Sequence, residues 1–147
     1  MKWYLIGETL SPLERAPGED EAAVVLLDSD ELAHTSELSG LACVLHHTPL
    51  ARDARVCKAE VRSDCLSGTL ALPRGGRDGA RLGCGYLVTK SRVVLVDDSE
   101  TMVTQLRRIV KEKRLTRKSV GRFLYDLFEL LIARDLHHLE EIEDRAG

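Results

Sequence analysis

Leu82-Gly83-Cys84-Gly85-Tyr86-Leu87-Val88-Thr89-Lys90-Ser91-Arg92-Val93-Val94-Leu95-Val96-Asp97-Asp98 is the stretch that decides the fold. It holds two apolar runs of strand length, Leu82 to Val88 and Arg92 to Val96, joined by Thr89-Lys90-Ser91. Upstream, Val56, Lys58, Glu60 and Arg62 alternate with Cys57, Ala59 and Val61, a period of two. Ser63-Asp64 supplies a turn, and Leu66 to Leu72 resumes as a strand. Pro73 to Gly79 reads as a connection before the next strand. Strands that follow one another through short joins pair antiparallel.

Working outward, the flanks read as helix and strand. Asp98 or Ser99 caps a helix whose Met102, Val103, Leu106, Ile109 and Val110 recur at helical spacing. A last helix starts near Ser119 and carries Val120, Phe123, Leu124, Leu127, Phe128, Leu131, Ile132, Leu136, Leu139 and Ile142. Helical spacing over more than 20 residues makes it at least ~30 Å long. On the other side, Trp3 to Ile6 is a first strand, and Ser11 to Glu21 reads as loop around Pro12, Pro17 and Gly18. Ala23 to Leu27 is a valine-rich apolar run of strand length. A helix capped by Ser29 or Asp30 follows to about Leu38, and a second short helix covers Leu41 to His47.

Composition bounds the function. The chain has 147 residues, 44% hydrophobic and 31% charged, with a formal net charge of −3. That suits one globular domain and argues against a chain that binds polyanions by bulk charge. The longest apolar run, Ala22 to Leu27, is far short of the ~20 residues that span a bilayer. Met1-Lys2-Trp3-Tyr4 opens no secretory h-region. Cysteines 43, 57, 65 and 84 form no C-x-x-C pair, so neither a zinc site nor a disulfide framework is expected. No order of Ser, His and Asp or of Cys and His marks a nucleophile, and an enzyme is not expected. Charge is unevenly placed. The first 40 residues are acid-rich. Residues 107–122 hold Arg107, Arg108, Lys111, Lys113, Arg114, Arg117, Lys118 and Arg122 against Glu112.

Several stretches resemble CorA-type magnesium channels. Gly121-Arg122-Phe123-Leu124-Tyr125-Asp126-Leu127-Phe128, running on to Leu139-Glu140-Glu141-Ile142-Glu143-Asp144, resembles the family's helix leading into the stalk. Val56-Cys57-Lys58-Ala59-Glu60-Val61 with Asp64-Cys65-Leu66 resembles its K-V-E strand pair. Gly85 to Asp98 resembles its strand-turn-strand ending in Asp-Asp. The match covers roughly residues 40 to 147, and the chain contains no Gly-Met-Asn signature and no transmembrane pair. The resemblance implies an α/β (α+β) fold: a mixed, largely antiparallel sheet flanked by helices, with a long C-terminal helix leading toward a stalk. It implies one cytoplasmic domain over residues 1–147, with sheet and flanking helices to about 117 and the long helix from about 118, cut at the chain end. The partners implied are further copies of the chain, five in the full-length protein, and the membrane through C-terminal segments beyond these residues. The place implied is the cytoplasmic face of the cell membrane, and the function is sensing of intracellular cation to gate a pore.

The same resemblance marks candidate ligands. A family acidic pair maps to His46 and His47, and a family acid on the long helix maps to Glu129. Mg²⁺ prefers hard oxygen ligands, so two imidazoles point to a softer ion such as Co²⁺, Ni²⁺ or Zn²⁺ if the site persists. The plainer readings are a helix C-terminal pair for His46 and His47, and an exposed helix residue for Glu129. Asp97-Asp98 could hold a hard cation but fits a helix cap better. Cys57 or Cys65 beside Lys58 could carry a lowered pKa, with nothing supplying a second catalytic group. The alternative function is a binding module that uses Arg107, Arg108, Lys111, Lys113, Arg114, Arg117 and Lys118 for nucleic acid or an acidic partner. The transporter reading expects no nucleic acid.

Overall fold

The structure is a computed structural model and describes residues 1–35, 58–61, 65–73 and 81–146. Among the described residues, seven strands form one sheet. In chain order they are β1 (Lys2–Ile6), β2 (Leu10–Leu13), β3 (Ala23–Leu27), β4 (Lys58–Val61), β5 (Leu66–Pro73), β6 (Arg81–Val88) and β7 (Arg92–Asp97). The sheet order is β2-β1-β3-β7-β6-β5-β4. Every neighbouring pair is antiparallel except β3 and β7, which run parallel from Ala23↔Arg92 to Leu27↔Val96. The sheet is thus mixed and mostly antiparallel, as expected.

The parallel pair lies at the centre and explains the unbroken apolar runs. All of β3 is buried, as are Val93 to Asp97 of β7. Strands covered on both faces have no polar side to alternate with. Successive side chains still point to opposite faces. Val24, Leu26, Val93 and Leu95 enter the core on one face, with Tyr4, Ile6 and Leu10. Ala23, Val25, Leu27, Val94 and Val96 enter the core on the other, with Trp3 and Leu87.

Among the described residues, three helices flank the sheet: α1 (Ser29–His34), α2 (Thr101–Lys111) and α3 (Val120–Ala146). The first face is covered by Met102, Leu106 and Ile109 of α2 and by Phe123, Leu127, Leu130 and Leu131 of α3. Leu32 of α1 packs against the second face. At 27 residues α3 is ~40 Å long, against ~16 Å for the 11 residues of α2.

Local chemistry departs from the sequence expectations at several points. Leu10 to Leu13 pairs with β1, although Ser11 onward reads as loop. Pro12 is accommodated because β2 is an edge strand, where a missing N–H costs no ladder bond. The cap of α1 is Asp28, not Ser29 or Asp30. Its carboxylate accepts from Glu31 N at 2.7 Å, and Glu31 Oε1 accepts from Asp28 N at 3.1 Å, a reciprocal capping box. The N-terminal amine of Met1 also pairs with Glu31. The helix ends at Thr35, which is extended, well before Leu38. The helix expected over Leu41 to His47 lies outside the described residues. On α3, Leu130 is buried, whereas Phe128 and Ile132 are exposed.

Candidate functional site

The β7–α2 junction shows what Asp97 and Asp98 do. Asp97 Oδ1 accepts from Ser99 N at 3.0 Å and Ser99 Oγ at 2.7 Å, and Oδ2 accepts from Met102 N at 2.9 Å. This carboxylate, and not that of Asp98, anchors the first turn of α2. Ser99 Oγ adds a bond from Thr101 N at 3.3 Å. Asp98 reaches across the fold instead. Its Oδ1 accepts from Ser29 N at 2.8 Å and its Oδ2 from Ser29 Oγ at 2.7 Å. All four carboxylate oxygens have protein donors, and the N-cap of α2 is Glu100, which makes no side-chain capping bond, in place of the expected Asp98 or Ser99.

The connection between α2 and α3 carries the basic cluster. Glu112 caps the end of α2, and Lys113 follows with φ 51°. Lys113 N donates to Val110 O at 3.2 Å, and Arg114 N to Ile109 O at 3.4 Å. These are the two bonds of a Schellman ending, with lysine at the left-handed position that glycine usually takes. Arg117 and Lys118 are also left-handed, at φ 54° and 56°. The turn between β1 and β2 pins them. Thr116 N donates to Glu8 O at 2.8 Å, Thr116 Oγ1 to Gly7 O at 2.6 Å, and Lys118 N to Gly7 O at 2.7 Å. Thr116 is fully buried beneath exposed Arg117 and Lys118.

Glu112 neutralises part of this cluster. It accepts from Arg114 Nε at 2.8 Å and Arg108 Nε at 2.9 Å. The bond from Arg114, then that from Arg108, holds its carboxyl below the usual glutamate range. Arg114 is held above its ordinary value, first by that same bond. Arg107, Lys111, Lys113, Arg117 and Lys118 have no acid partner among the described residues.

Glu129 stands on the exposed side of α3, with its Oε2 at 3.9 Å from Arg114 Nη1. Among the described residues no group of three His, Cys, Asp or Glu could hold a metal ion. His46 and His47 lie outside the described residues. Within one copy, the described side chains do not fit a divalent cation. Of the cysteines, Cys84 is buried on β6, and burial, then Asp97, pushes its thiol up, so it is chemically quiet. Cys65 is half-buried against the second core, and Cys57 lies outside the described residues.

Sequence reasoning missed Arg92. Its guanidinium donates to the carbonyls of Gly18 at 2.7 Å, Pro17 at 3.3 Å and Glu21, and lies 5.8 Å over the Trp3 ring. It closes the acidic loop against the start of β7. No local signal marks it, because apart from the adjacent Ser91 carbonyl its carbonyl partners are more than 70 positions away.

No family profile matches the sequence, and no curated protein sequence matches it. Solved structures do match in fold. The soluble domain of CorA from Methanocaldococcus jannaschii has a TM-score of 0.71 at 16% identity, over 99% of this chain and 64% of that one. The cytoplasmic domain of ZntB from Vibrio parahaemolyticus RIMD 2210633 has a TM-score of 0.68 at 13% identity, over 98% and 62%. The full-length CmaX protein has a TM-score of 0.68 at 15% identity, over 99% and 49%. The chain therefore has the fold of CorA and ZntB soluble domains, and spans about half to just under two thirds of those chains. No helix among the described residues is long and apolar enough to cross a membrane.

Proposed function

We propose that this chain is the cytoplasmic regulatory domain of a CorA-like divalent-cation transporter, placed at the cytoplasmic face of the cell membrane. The observation that carries the reading is the fold likeness over 99% of the chain to a CorA soluble domain. The working unit is a homo-oligomer, five copies by resemblance, and the chain is not an enzyme. Its exposed acids, Glu14, Glu19, Asp20, Glu21 and Asp30, repel the same acids on another copy at short range. Intracellular Mg²⁺, or Co²⁺, Ni²⁺ or Zn²⁺, screens that repulsion and favours the associated, closed arrangement. His46, His47 and Glu129 are the ligands this reading assigns, contributed between copies.

Sedimentation velocity and thermal unfolding in EDTA, and in excess of each cation, test it. Ionic strength is matched with NaCl, because simple salt also screens. A rise in association or in the unfolding midpoint with divalent cation beyond the matched salt is expected. The same behaviour in divalent cation and matched salt would sink the reading.

A second reading rests on the exposed, acid-free Lys111, Lys113, Arg117 and Lys118, with Arg107, Arg108 and Arg114 beside them. A pinned loop presenting those charges binds nucleic acid through phosphates. Its affinity then falls linearly on a log–log salt plot, with a slope of about −0.9 per phosphate neutralised. No binding to duplex or single-stranded DNA or RNA at low salt would remove it.

A further inference from the structure

The exposed face of α3 carries a pattern that neither reading uses. Tyr125 and Ile132 are each 58% exposed and Phe128 is 39% exposed, on a helix whose opposite face fills the core. They lie at i, i+3 and i+7, so they form one stripe. Gly121 continues it one turn earlier, and a Cβ there would meet only Ser119 Oγ of its own chain, at 3.6 Å. Arg122 and Glu129, one heptad apart, flank the stripe on the same side, with 46% and 55% of their side chains exposed. These three large apolar side chains lie together on the surface and are not scattered singly.

We propose that this stripe pairs with the same stripe of a second copy of the chain, in an antiparallel helix–helix contact about a two-fold axis. The stripe is self-complementary in that arrangement. With the axis between positions 126 and 127, Tyr125 faces Phe128 of the second copy, and Gly121, which carries no side chain, faces Ile132 of the second copy. The flanking charges then meet with opposite sign. Arg122 lies beside Glu129 of the second copy, and Glu129 beside Arg122 of the second copy. Parallel pairing sets like charges at the same level and leaves Gly121 facing Gly121. Flanking charge pairs of this kind set partner and orientation in paired helices. Arg122 lies over the Tyr125 ring of its own helix, 5.0 Å from the centroid, with Nη2 3.7 Å from Asp126 Oδ1, and Glu129 Oε2 is 3.9 Å from Arg114 Nη1. Both side chains stay about half exposed, so a second copy can engage them in place of these partners.

A two-fold contact uses one surface twice, whereas a closed ring of five uses two unlike surfaces. The inference shares only Glu129 with the proposed cation ligands, and it is tested without divalent cation so that its failure is distinguishable from failure of the proposed function. Sedimentation equilibrium in EDTA measures dimerisation of the chain and its variants, with far-UV circular dichroism confirming that each variant folds. A reversible dimer is expected for the native sequence. Phe128→Asp should be monomeric throughout. Arg122→Glu should raise the dimer dissociation constant about tenfold or more, since it turns two attractive pairs repulsive. Arg122→Glu with Glu129→Arg should restore the native constant. A monomer at every concentration up to ~1 mM would overturn the proposal. So would a dimer indifferent to Phe128→Asp and to the charge exchange. A monomer that partitions onto lipid vesicles would assign the stripe to a membrane surface and overturn it equally.

Discussion

Asp97 and Asp98 are adjacent carboxylates with different tasks. Asp97 takes the free N–H groups at the start of α2, and Asp98 ties Ser29, at the start of α1, to the same junction. That a carboxylate before the amphipathic run would serve the helix start was legible in the sequence, because such groups satisfy its unpaired donors, but the N-cap itself is Glu100 and not Asp98 or Ser99. The exchange of tasks was not legible, since Ser29 lies 69 positions from Asp98. Glu112 shows the same limit. Its partners Arg108 and Arg114 sit on either side of it in sequence, yet the tight turn at Lys113 is what lets both reach it. Its carboxyl is held below the usual range, first by Arg114. A lowered carboxyl pKa stabilises the fold above the unfolded value, about 4.3, and that contribution fades as pH falls through the folded value. Glu112→Gln should therefore flatten the acid limb of stability against pH and leave neutral behaviour with a fixed offset. Urea unfolding across the acid range checks this, and an unchanged acid slope would contradict it.

At the level of elements, the end of α2 is a Schellman turn built without glycine. Lysine at φ 51° carries a steric cost on the order of 1 kcal/mol that glycine avoids. Lys113→Gly should raise stability by about 1 kcal/mol in chemical denaturation, because the two closing bonds are made by backbone atoms and survive the change. A loss of stability would mean that the lysine side chain holds the turn. The missing glycine is also why sequence reasoning could place the end of α2 only within a basic stretch. On α3 the helical period was plain, but the choice of face was not. Phe128 and Ile132 continue the apolar row in sequence and stand in water in the structure, while Asp126 is buried. Packing against α2 and the first face of the sheet chooses that face, and hydrophobicity alone cannot. One oxygen of Asp126 and the side-chain oxygen of Gln105 are buried without a hydrogen-bond partner.

For the molecule as a whole, the proposed role lies at contacts between copies, and the candidate ligands differ in chemistry. Imidazoles at 46 and 47 favour Co²⁺, Ni²⁺ and Zn²⁺, whereas Glu129 offers Mg²⁺ a hard oxygen. In the cation titration, His46→Ala with His47→Ala should remove the response to the softer ions and leave the response to Mg²⁺, and Glu129→Gln should do the reverse. Loss of every response in either variant would show that the two positions act as one site. Among the described residues, the basic connection, the β1–β2 turn and the starts of β3 and β7 gather at one end of the sheet, joined through Gly7, Ala22 and Ser91 carbonyls. Sequence alone determined most of the strands, the long last helix and the antiparallel run from β4 to β7. Each of these rests on local periodicity and short connections, which neighbouring residues encode. Tertiary structure alone decided that Leu10 to Leu13 is a strand, that β3 lies parallel to β7, that Arg92 clasps the acidic loop, and which face of α3 meets the core. Each of those is a pairing between distant segments, selected by which surfaces can be buried together, and no local pattern carries that choice.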